Sequence, residues 1–98
     1  MGDRGTVEIK SEGKSVYLYT HWRGSELGDI LPEAIKSKNG RGRWDDAAYL
    51  ARIIFDWMTA GDRDTETGFG ISAHPCDGEE YVVDIDKQTL NDVKFTDL

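Results

Sequence analysis

The pattern of apolar and polar positions predicts that the chain is built around one helix, residues 45–60. Its polar side chains recur at steps of three and four residues and fall on one narrow stripe, formed by Asp45, Tyr49, Arg52, Asp56 and Thr59. The other positions are mostly apolar, so we expect neighbouring elements to cover most sides of this helix. Asp45 or Asp46 is placed to cap its start, and Gly61 to end it.

Upstream, two stretches alternate between apolar and polar residues, which is typical of half-buried strands. The first is residues 6–11, and the second begins at Ser15 with an apolar face formed by Val16, Leu18 and Thr20. The same alternation, continued past the strand, predicts a second face formed by Tyr17, Tyr19, His21 and Arg23. Gly13 lies between the two stretches and suits the positive φ of a tight turn, so we predict a hairpin.

A first helix is predicted between this hairpin and the central helix. Ser25 is a suitable N-cap, and apolar residues follow it at helical spacing. Pro32 either kinks this helix or makes residues 25–31 a separate first turn. Asn39-Gly40 is predicted to end it, and a basic loop, residues 36–43, leads to the central helix.

Two further strands are predicted after the central helix and a polar loop. Residues 69–73 alternate and are ended by Pro75. Residues 81–86 form the next strand, with an inward face of Tyr81, Val83 and Ile85. The tail, residues 87–98, either extends this strand or forms a separate element.

These elements predict a single α+β domain over residues 1–98, in the order β-β-α-α-β-β. Two hairpins that flank two helices favour an antiparallel sheet with both helices packed on one face. If the second and third strands are neighbours, the other face carries the tyrosines beside Gly68, Gly70, Ser72 and His74, and the rings lie across the glycines. Such a face would form a shallow binding floor.

Composition and charge narrow the class of protein. No apolar run approaches the roughly 20 residues that span a bilayer, and the first residues lack the apolar segment of a signal peptide. With Cys76 as the one cysteine, this predicts a cytoplasmic protein without membrane association.

The net charge is −7, and after residue 52 three basic residues stand against eleven acidic ones. This acidity disfavours binding to nucleic acid and favours a basic protein as partner. The alternative is that the excess acid only keeps the protein soluble.

Candidate catalytic and metal chemistry is sparse. His21, His74 and Cys76 invite a nucleophile or a zinc site, but the acidic neighbours of Cys76 do not activate a thiol, and these residues lack the paired spacing of zinc ligands. Residues 62–66 begin like a calcium loop, but Thr67 stands where that loop has glycine. We therefore predict no catalytic residue, no metal and no cofactor.

The sequence His21-Trp22-Arg23 is the better candidate for a site. It precedes a predicted helix N-terminus, where free N–H groups favour an anion. With Tyr17 and Tyr19 on the same face, it would hold a nucleotide or another planar anionic ligand. The alternative is that Trp22 belongs to the core and that Arg23 pairs with a nearby carboxylate.

Three blocks of the chain, YLYTHWRGSEL, RWDDAAYLARIIFDWM and ETGFGIS, resemble a family of small uncharacterised proteins from phages, prophages and actinobacterial genomes. The resemblance covers roughly residues 16–86, although Gly28 stands where the family has a proline. It implies an origin in a phage or mobile element, whose small genes often encode host-takeover or anti-defence proteins.

We therefore expect a small acidic, non-enzymatic interaction protein that binds, and in this setting inhibits, a host protein in the host cytoplasm. The alternative is a protein that binds a small anionic ligand or nucleotide. For either use, aromatic side chains beside an arginine are typical of binding hot spots. The predicted binding residues are Tyr17, Tyr19, His21, Arg23, Ser72 and His74. Whether the protein is a homo-oligomer stays open.

Overall fold

The computed structural model describes residues 2–62 and 68–98, which form an α+β domain as predicted. The strands are β1 (Gly5–Ser11), β2 (Lys14–Thr20), β3 (Phe69–Ser72), β4 (Glu79–Asp84), β5 (Thr89–Leu90) and β6 (Val93–Lys94). The α-helices are α1 (Leu27–Lys36), α2 (Lys38–Arg41) and α3 (Ala47–Met58), and 3-10 turns occupy Gly24–Glu26 and Phe95–Asp97. The calcium-like stretch lies largely in residues 63–67, outside the described part. Within that part, no helix has the length and apolar character needed to cross a bilayer.

The strand order across the sheet is β3-β2-β1-β4-β5-β6. β1 pairs antiparallel with β2 but parallel with β4, from Gly5 opposite Glu79 to Lys10 opposite Asp84. The prediction of a purely antiparallel sheet is therefore wrong. β3 and β4 do not form the expected hairpin, because β3 pairs with β2 at the edge of the sheet and residues 73–78 then cross to the far side of β1.

The β1–β2 hairpin is confirmed. Its turn residues, Glu12 and Gly13, have positive φ values of 53° and 78°, as in the two-residue turns whose twist matches that of the strands. The core face of the hairpin is formed by Val7, Ile9, Val16 and Leu18. Because a slip by one residue would turn all of these side chains to the opposite face, burial fixes the register.

The helix α1 runs through Pro32, which was predicted to kink or divide it. A proline there lacks the N–H that would bond the carbonyl of Gly28, four residues earlier. Gly28 is exposed, so water can satisfy its carbonyl, and the helix continues past the proline. Buried side chains hold the helix on the sheet: Leu27, Leu31, Ala34 and Ile35.

Both ends of the first helix differ from the prediction, and α1 itself begins after Glu26, whose side chain forms no capping hydrogen bond. Ser25 is not the N-cap, because its N–H and its hydroxyl both donate to the carboxylate of Asp3. At the other end, Ser37 Oγ accepts a hydrogen bond from the N–H of Gly40 at 3.1 Å and caps α2. The predicted basic loop therefore contains a helical turn, and Asn39-Gly40 lies inside it.

The central helix α3 is confirmed. Asp46 caps it by accepting a hydrogen bond from the N–H of Tyr49 at 3.1 Å, and Gly61 follows its end with a φ of 87°. Its core residues Leu50, Ile54 and Met58 are fully buried between α1 and the sheet. The expectation that most sides are covered was too broad, because Trp57 keeps 36% of its surface exposed.

The tail forms the short strands β5 and β6 and then returns to the core. Leu90 pairs with Val83 of β4, which extends the sheet beyond the predicted strand. Phe95 is 1% exposed and meets Trp44 edge-on, with ring centroids 5.4 Å apart. The indole N–H of Trp44 donates to the carbonyl of Ile35 at 2.9 Å. The tail is therefore part of the core and not an appendage.

Candidate binding site

The sheet face opposite the helices is crossed by residues 73–78, the segment that we call the crossover. Thr6 Oγ1 donates a hydrogen bond to the carbonyl of Asp77 at 3.0 Å. Thr6 is only 1% exposed although its side chain points away from the helices, because the crossover covers it. The N–H of Glu79 donates to the carbonyl of Arg4 at 3.1 Å. These two bonds fix the crossover against the start of β1.

Beside the crossover lies a groove of about 330 Å³, which we call the crossover groove. The sheet contributes Tyr19, Gly70, Ile71 and Ser72 to its lining, and the crossover contributes Pro75, Cys76 and Asp77. Tyr19 pairs with Gly70 across the β2–β3 register, and Tyr17 pairs with Ser72. The prediction that the second and third strands are neighbours is therefore confirmed, and three of the predicted binding residues share one face.

At the end of β2, three aromatic rings follow one another, and we call Tyr19, His21 and Trp22 the aromatic cluster. The Tyr19 hydroxyl and Nδ1 of His21 lie 3.1 Å apart and form a hydrogen bond. The ring of His21 meets that of Trp22 edge-on, with centroids 4.3 Å apart. Trp22 remains 50% exposed, so the alternative that it belongs to the core is wrong.

A glycine supports the exposed indole from the other side. The Trp22 ring occupies the space that a Cβ on Gly68 would need, and the φ of Gly68 is 99°, which other residues rarely adopt. At Gly70, by contrast, no atom of the described residues lies within 4 Å of the Cβ position. The tyrosine rings therefore do not lie across Gly70 as predicted, and that part of the groove floor is bare backbone.

Arg23 does not share the face of the tyrosines. β2 ends at Thr20, whose Oγ1 accepts hydrogen bonds from the N–H groups of Trp22 and Arg23 at 3.2 and 3.1 Å. The chain turns there, so the alternation that predicted the position of Arg23 stops. Its Nη2 instead donates to the carbonyl of Ala60 at 2.7 Å and to the carboxylate of Asp62 at 3.2 Å. The alternative that Arg23 pairs with a carboxylate is confirmed.

The helix N-terminus that was predicted to favour an anion already holds one from the same chain. The carboxylate oxygens of Asp3 accept the N–H of Ser25 at 3.0 and 3.1 Å. The N–H of Gly24 donates to the backbone carbonyl of Asp3 at 2.7 Å. An external anion would have to displace this carboxylate, so the junction is a poor site for a phosphate or nucleotide.

Ser72 and His74 lie at the rim of the groove. Ser72 Oγ accepts the backbone N–H of His74 at 2.9 Å, and the His74 side chain is exposed. The Cys76 thiol donates a hydrogen bond to the backbone carbonyl of His74, with Sγ 3.6 Å from the oxygen. Among the described residues, no three His, Cys, Asp or Glu side chains are grouped so that they could hold a metal ion.

Sequence reasoning missed the crossover as one wall of the groove. Its position depends on which edge of the sheet β3 joins, and local alternation does not encode that choice. Gly78 carried a weak indication, since its φ is 101° and it packs against Arg4 too closely for a Cβ to fit. A glycine at this position would also suit the turn of the second predicted hairpin, so Gly78 did not distinguish a hairpin from a crossover. The His21-Trp22-Arg23 motif identified Trp22 as a candidate. Its exposure could not be predicted from the motif, because it depends on the contacts that hold the indole against His21 and Gly68 at the surface.

Comparisons of the chain with family models, with curated proteins and with solved structures find no match. The resemblance of three blocks to phage and actinobacterial proteins therefore stays a prediction. The aromatic cluster and the crossover groove are the features of the described residues that point to a function.

Proposed function

We propose that this protein acts by binding another protein, without catalysis, through the aromatic cluster and the crossover groove. The observation that carries the proposal is the 50% exposure of Trp22, whose indole is wedged between His21 and Gly68. Tryptophan and tyrosine are enriched at binding hot spots because each buries a large apolar area. Since two contacts already restrain this indole, little side-chain entropy is lost when a partner covers it.

The groove extends this surface beyond Trp22. Tyr19 belongs to both features, because its ring lines the groove and its hydroxyl bonds His21. A partner that covers the indole therefore also reaches the groove. At Gly70 the floor is open, so a side chain of the partner can approach the backbone of β3 directly.

The charge around the groove favours a basic partner. Asp77 lines the groove with a side chain that is 85% exposed, and the exposed Glu79 and Glu80 follow it. Arg4 lies 3.5 Å from Asp77, but an exposed ion pair of this kind contributes little stability. Complementary charge instead accelerates association and selects among partners. We expect a partner that presents lysine or arginine beside an apolar or aromatic anchor.

The family resemblance supplies a biological setting for this proposal. We infer a phage or mobile-element gene whose product works in the cytoplasm of a bacterial host and inhibits a host protein there, with an anti-defence role as one form of this. An acidic protein of net charge −7 competes well for surfaces that normally bind nucleic acid. A basic, nucleic-acid-binding host protein is therefore the expected class of target.

Affinity capture from a bacterial lysate tests the proposal when wild type is compared with Trp22→Ala. Tyr49→Ala is the matched control, because Tyr49 is 53% exposed on the helix side of the molecule. We expect Trp22→Ala to lower the recovery of the specific partner by about tenfold or more, while Tyr49→Ala recovers it fully. Both variants should keep the wild-type melting temperature within a few degrees.

The purified partner then allows titration calorimetry with Tyr19→Ala and Trp22→Ala. Wild-type affinity in both variants would place the working surface elsewhere, with the acidic segment 77–86 as the next candidate. A collapse of the melting temperature in both would show that these rings are structural. Loss of affinity with an intact melt supports the proposal.

One observation favours a small ligand as the second candidate. The groove volume of about 330 Å³ falls at the lower end of the range of roughly 300–1,000 Å³ for small-molecule sites. A thermal-shift panel of nucleotides and nucleosides tests this use. Stabilisation that Tyr19→Ala abolishes would support it. Asp77 at the groove and Asp3 at the helix N-terminus both weigh against anionic members of the panel.

A further inference from the structure

The outer edge of β3 carries backbone groups that pair with nothing in the described chain. His21 donates its N–H to the carbonyl of Gly68 at 2.8 Å, so this pair is a hydrogen-bonded one. In antiparallel strands such pairs alternate, so Gly70 and Ser72 also direct their backbone groups at β2. Phe69 and Ile71 consequently direct their N–H and C=O groups away from the sheet. Neither residue forms a further backbone bond within residues 2–62 and 68–98.

Within residues 2–62 and 68–98, this edge lacks the usual features that keep edge strands apart. Natural edges carry lysine, proline or a bulge, or are very short. β6, at the opposite edge, has two residues, one of which is Lys94. β3 has four residues without charge or proline. Its Ile71 is 64% exposed, although Leu18, opposite it on β2, is 1% exposed.

We infer that β3 pairs antiparallel with β3 of a second copy of this chain, about a two-fold axis at Gly70. In this register, Phe69 of each chain faces Ile71 of the other, and their outward groups form reciprocal hydrogen bonds. The side chains of Phe69 and Ile71 then form aromatic and β-branched cross-strand pairs on one face. On the other face the two Gly70 residues meet, where no atom of the described residues lies within 4 Å of either Cβ position. The strand is therefore complementary to itself.

The dimer is weak and strengthens with salt. A four-residue edge buries far less than the roughly 1,600 Å² of a standard interface. Each chain also carries a net charge of −7, so the two copies repel at low ionic strength. Raising sodium chloride from about 50 mM to about 500 mM should increase the dimer fraction. Gly70 and Ile71 also line the crossover groove. The salt response of the dimer is nevertheless opposite to the one expected for a basic partner, so salt distinguishes the two associations.

A cysteine placed on the axis tests the register. Cys76→Ser removes the native thiol, and Gly70→Cys in that background places two thiols at a non-hydrogen-bonded pair, whose Cα atoms lie about 4.5 Å apart. That spacing is within the disulfide range of about 4.4–6.8 Å. Ser72→Cys in the same background is the control, because its two copies lie roughly 13 Å apart in this register.

We expect mild oxidation to convert most of the Gly70→Cys protein to a covalent dimer while the Ser72→Cys protein stays largely monomeric. Equal cross-linking of the two, or none in either, overturns the proposed register.

A proline at position 71 tests the edge itself. Because the N–H of Ile71 points outward, Ile71→Pro removes an edge donor but no bond to β2. Analytical ultracentrifugation of wild type should show a concentration-dependent dimer, and Ile71→Pro should weaken dimerisation by about tenfold or more. Ile71→Lys serves as the second variant in case the proline disturbs the fold, which circular dichroism reports. A wild type that is monomeric at every concentration and salt, or variants that dimerise as wild type does, overturns the inference.

Discussion

The guanidinium of Arg23 donates to the carbonyl of Ala60 at 2.7 Å and thereby joins the end of β2 to the chain two residues beyond α3. The same Nη2 atom lies 3.2 Å from the carboxylate of Asp62. The hydrogen bonds of Thr20 turn the chain at the end of β2, so Arg23 reaches the helix layer and not the aromatic face. A residue that looked like part of a binding surface is therefore a clamp between the two layers.

Arg23→Ala should consequently destabilise the fold. We expect a loss of about 1–2 kcal/mol, because the variant removes a charge-assisted hydrogen bond to a carbonyl and a half-buried ion pair. Urea denaturation measures it, with Arg52→Ala, exposed on α3, as the control. At temperatures where Arg23→Ala is folded, it should still capture the partner of the aromatic cluster. Unchanged stability with lost capture would restore Arg23 to the binding surface.

Ile54→Ala should destabilise the protein by about 2–4 kcal/mol through cavity formation. Ile54 is fully buried in the core cluster between α3 and the sheet, so its truncation leaves a cavity. Lys38→Ala, at an exposed position of α2, should change the free energy of unfolding by less than about 0.5 kcal/mol. A loss below about 0.5 kcal/mol for Ile54→Ala would mean that α3 is not the centre of the core.

Phe95→Ala should cost about 3–5 kcal/mol, because its ring is buried edge-on against Trp44. Asp97→Ala lies in the same 3-10 turn and is exposed, so it should leave stability nearly unchanged. Thermal melts of the two variants give the comparison. If Phe95→Ala melts like Asp97→Ala, the tail is not packed on the core as described.

Tyr81 should make the protein sensitive to alkaline pH. Burial, together with the charge of Glu79 and its hydrogen bond, raises the pKa of the Tyr81 phenol above its ordinary value of 10.0. The folded state thus holds this proton more tightly than the unfolded state. Its contribution to stability is complete below about pH 10 and is lost as the pH rises through the folded-state pKa.

We therefore expect wild type to lose more stability than Tyr81→Phe between about pH 9 and pH 11. Chemical denaturation at each pH measures the loss. The two proteins differ only at position 81, so the difference between their losses reports Tyr81 alone. Parallel losses would contradict this assignment.

The sequence predicted those elements whose buried side chains recur at a regular spacing, every second residue in a strand or every three to four residues in a helix. The alternation of Val7, Ile9, Val16 and Leu18 defined the first hairpin, and the period of α3 defined its core face. The capping by Asp46 was also local, since the side chain bonds an N–H three residues away. In each case the residues that decide the structure lie within one turn or one hairpin of each other.

Long-range choices could not be predicted in this way. β3 and β4 both alternate, and nothing in either strand states that one pairs with β2 and the other with β1. The carboxylate of Asp3 caps a turn 22 residues away, which no window along the chain contains. For the site, the register of β2 and β3 placed Tyr19 and Ser72 correctly. Arg23 was misplaced because its strand had already ended.

The parallel pairing of β1 with β4 has a consequence for synthesis. β1 is an interior strand of the sheet, yet the neighbour on one of its sides begins only at Glu79. A nascent chain that has reached Gly78 holds the first hairpin and the helices but lacks Val83 and Phe95. Until β4 emerges from the ribosome, one edge of β1 is unpaired and open to pairing with other chains.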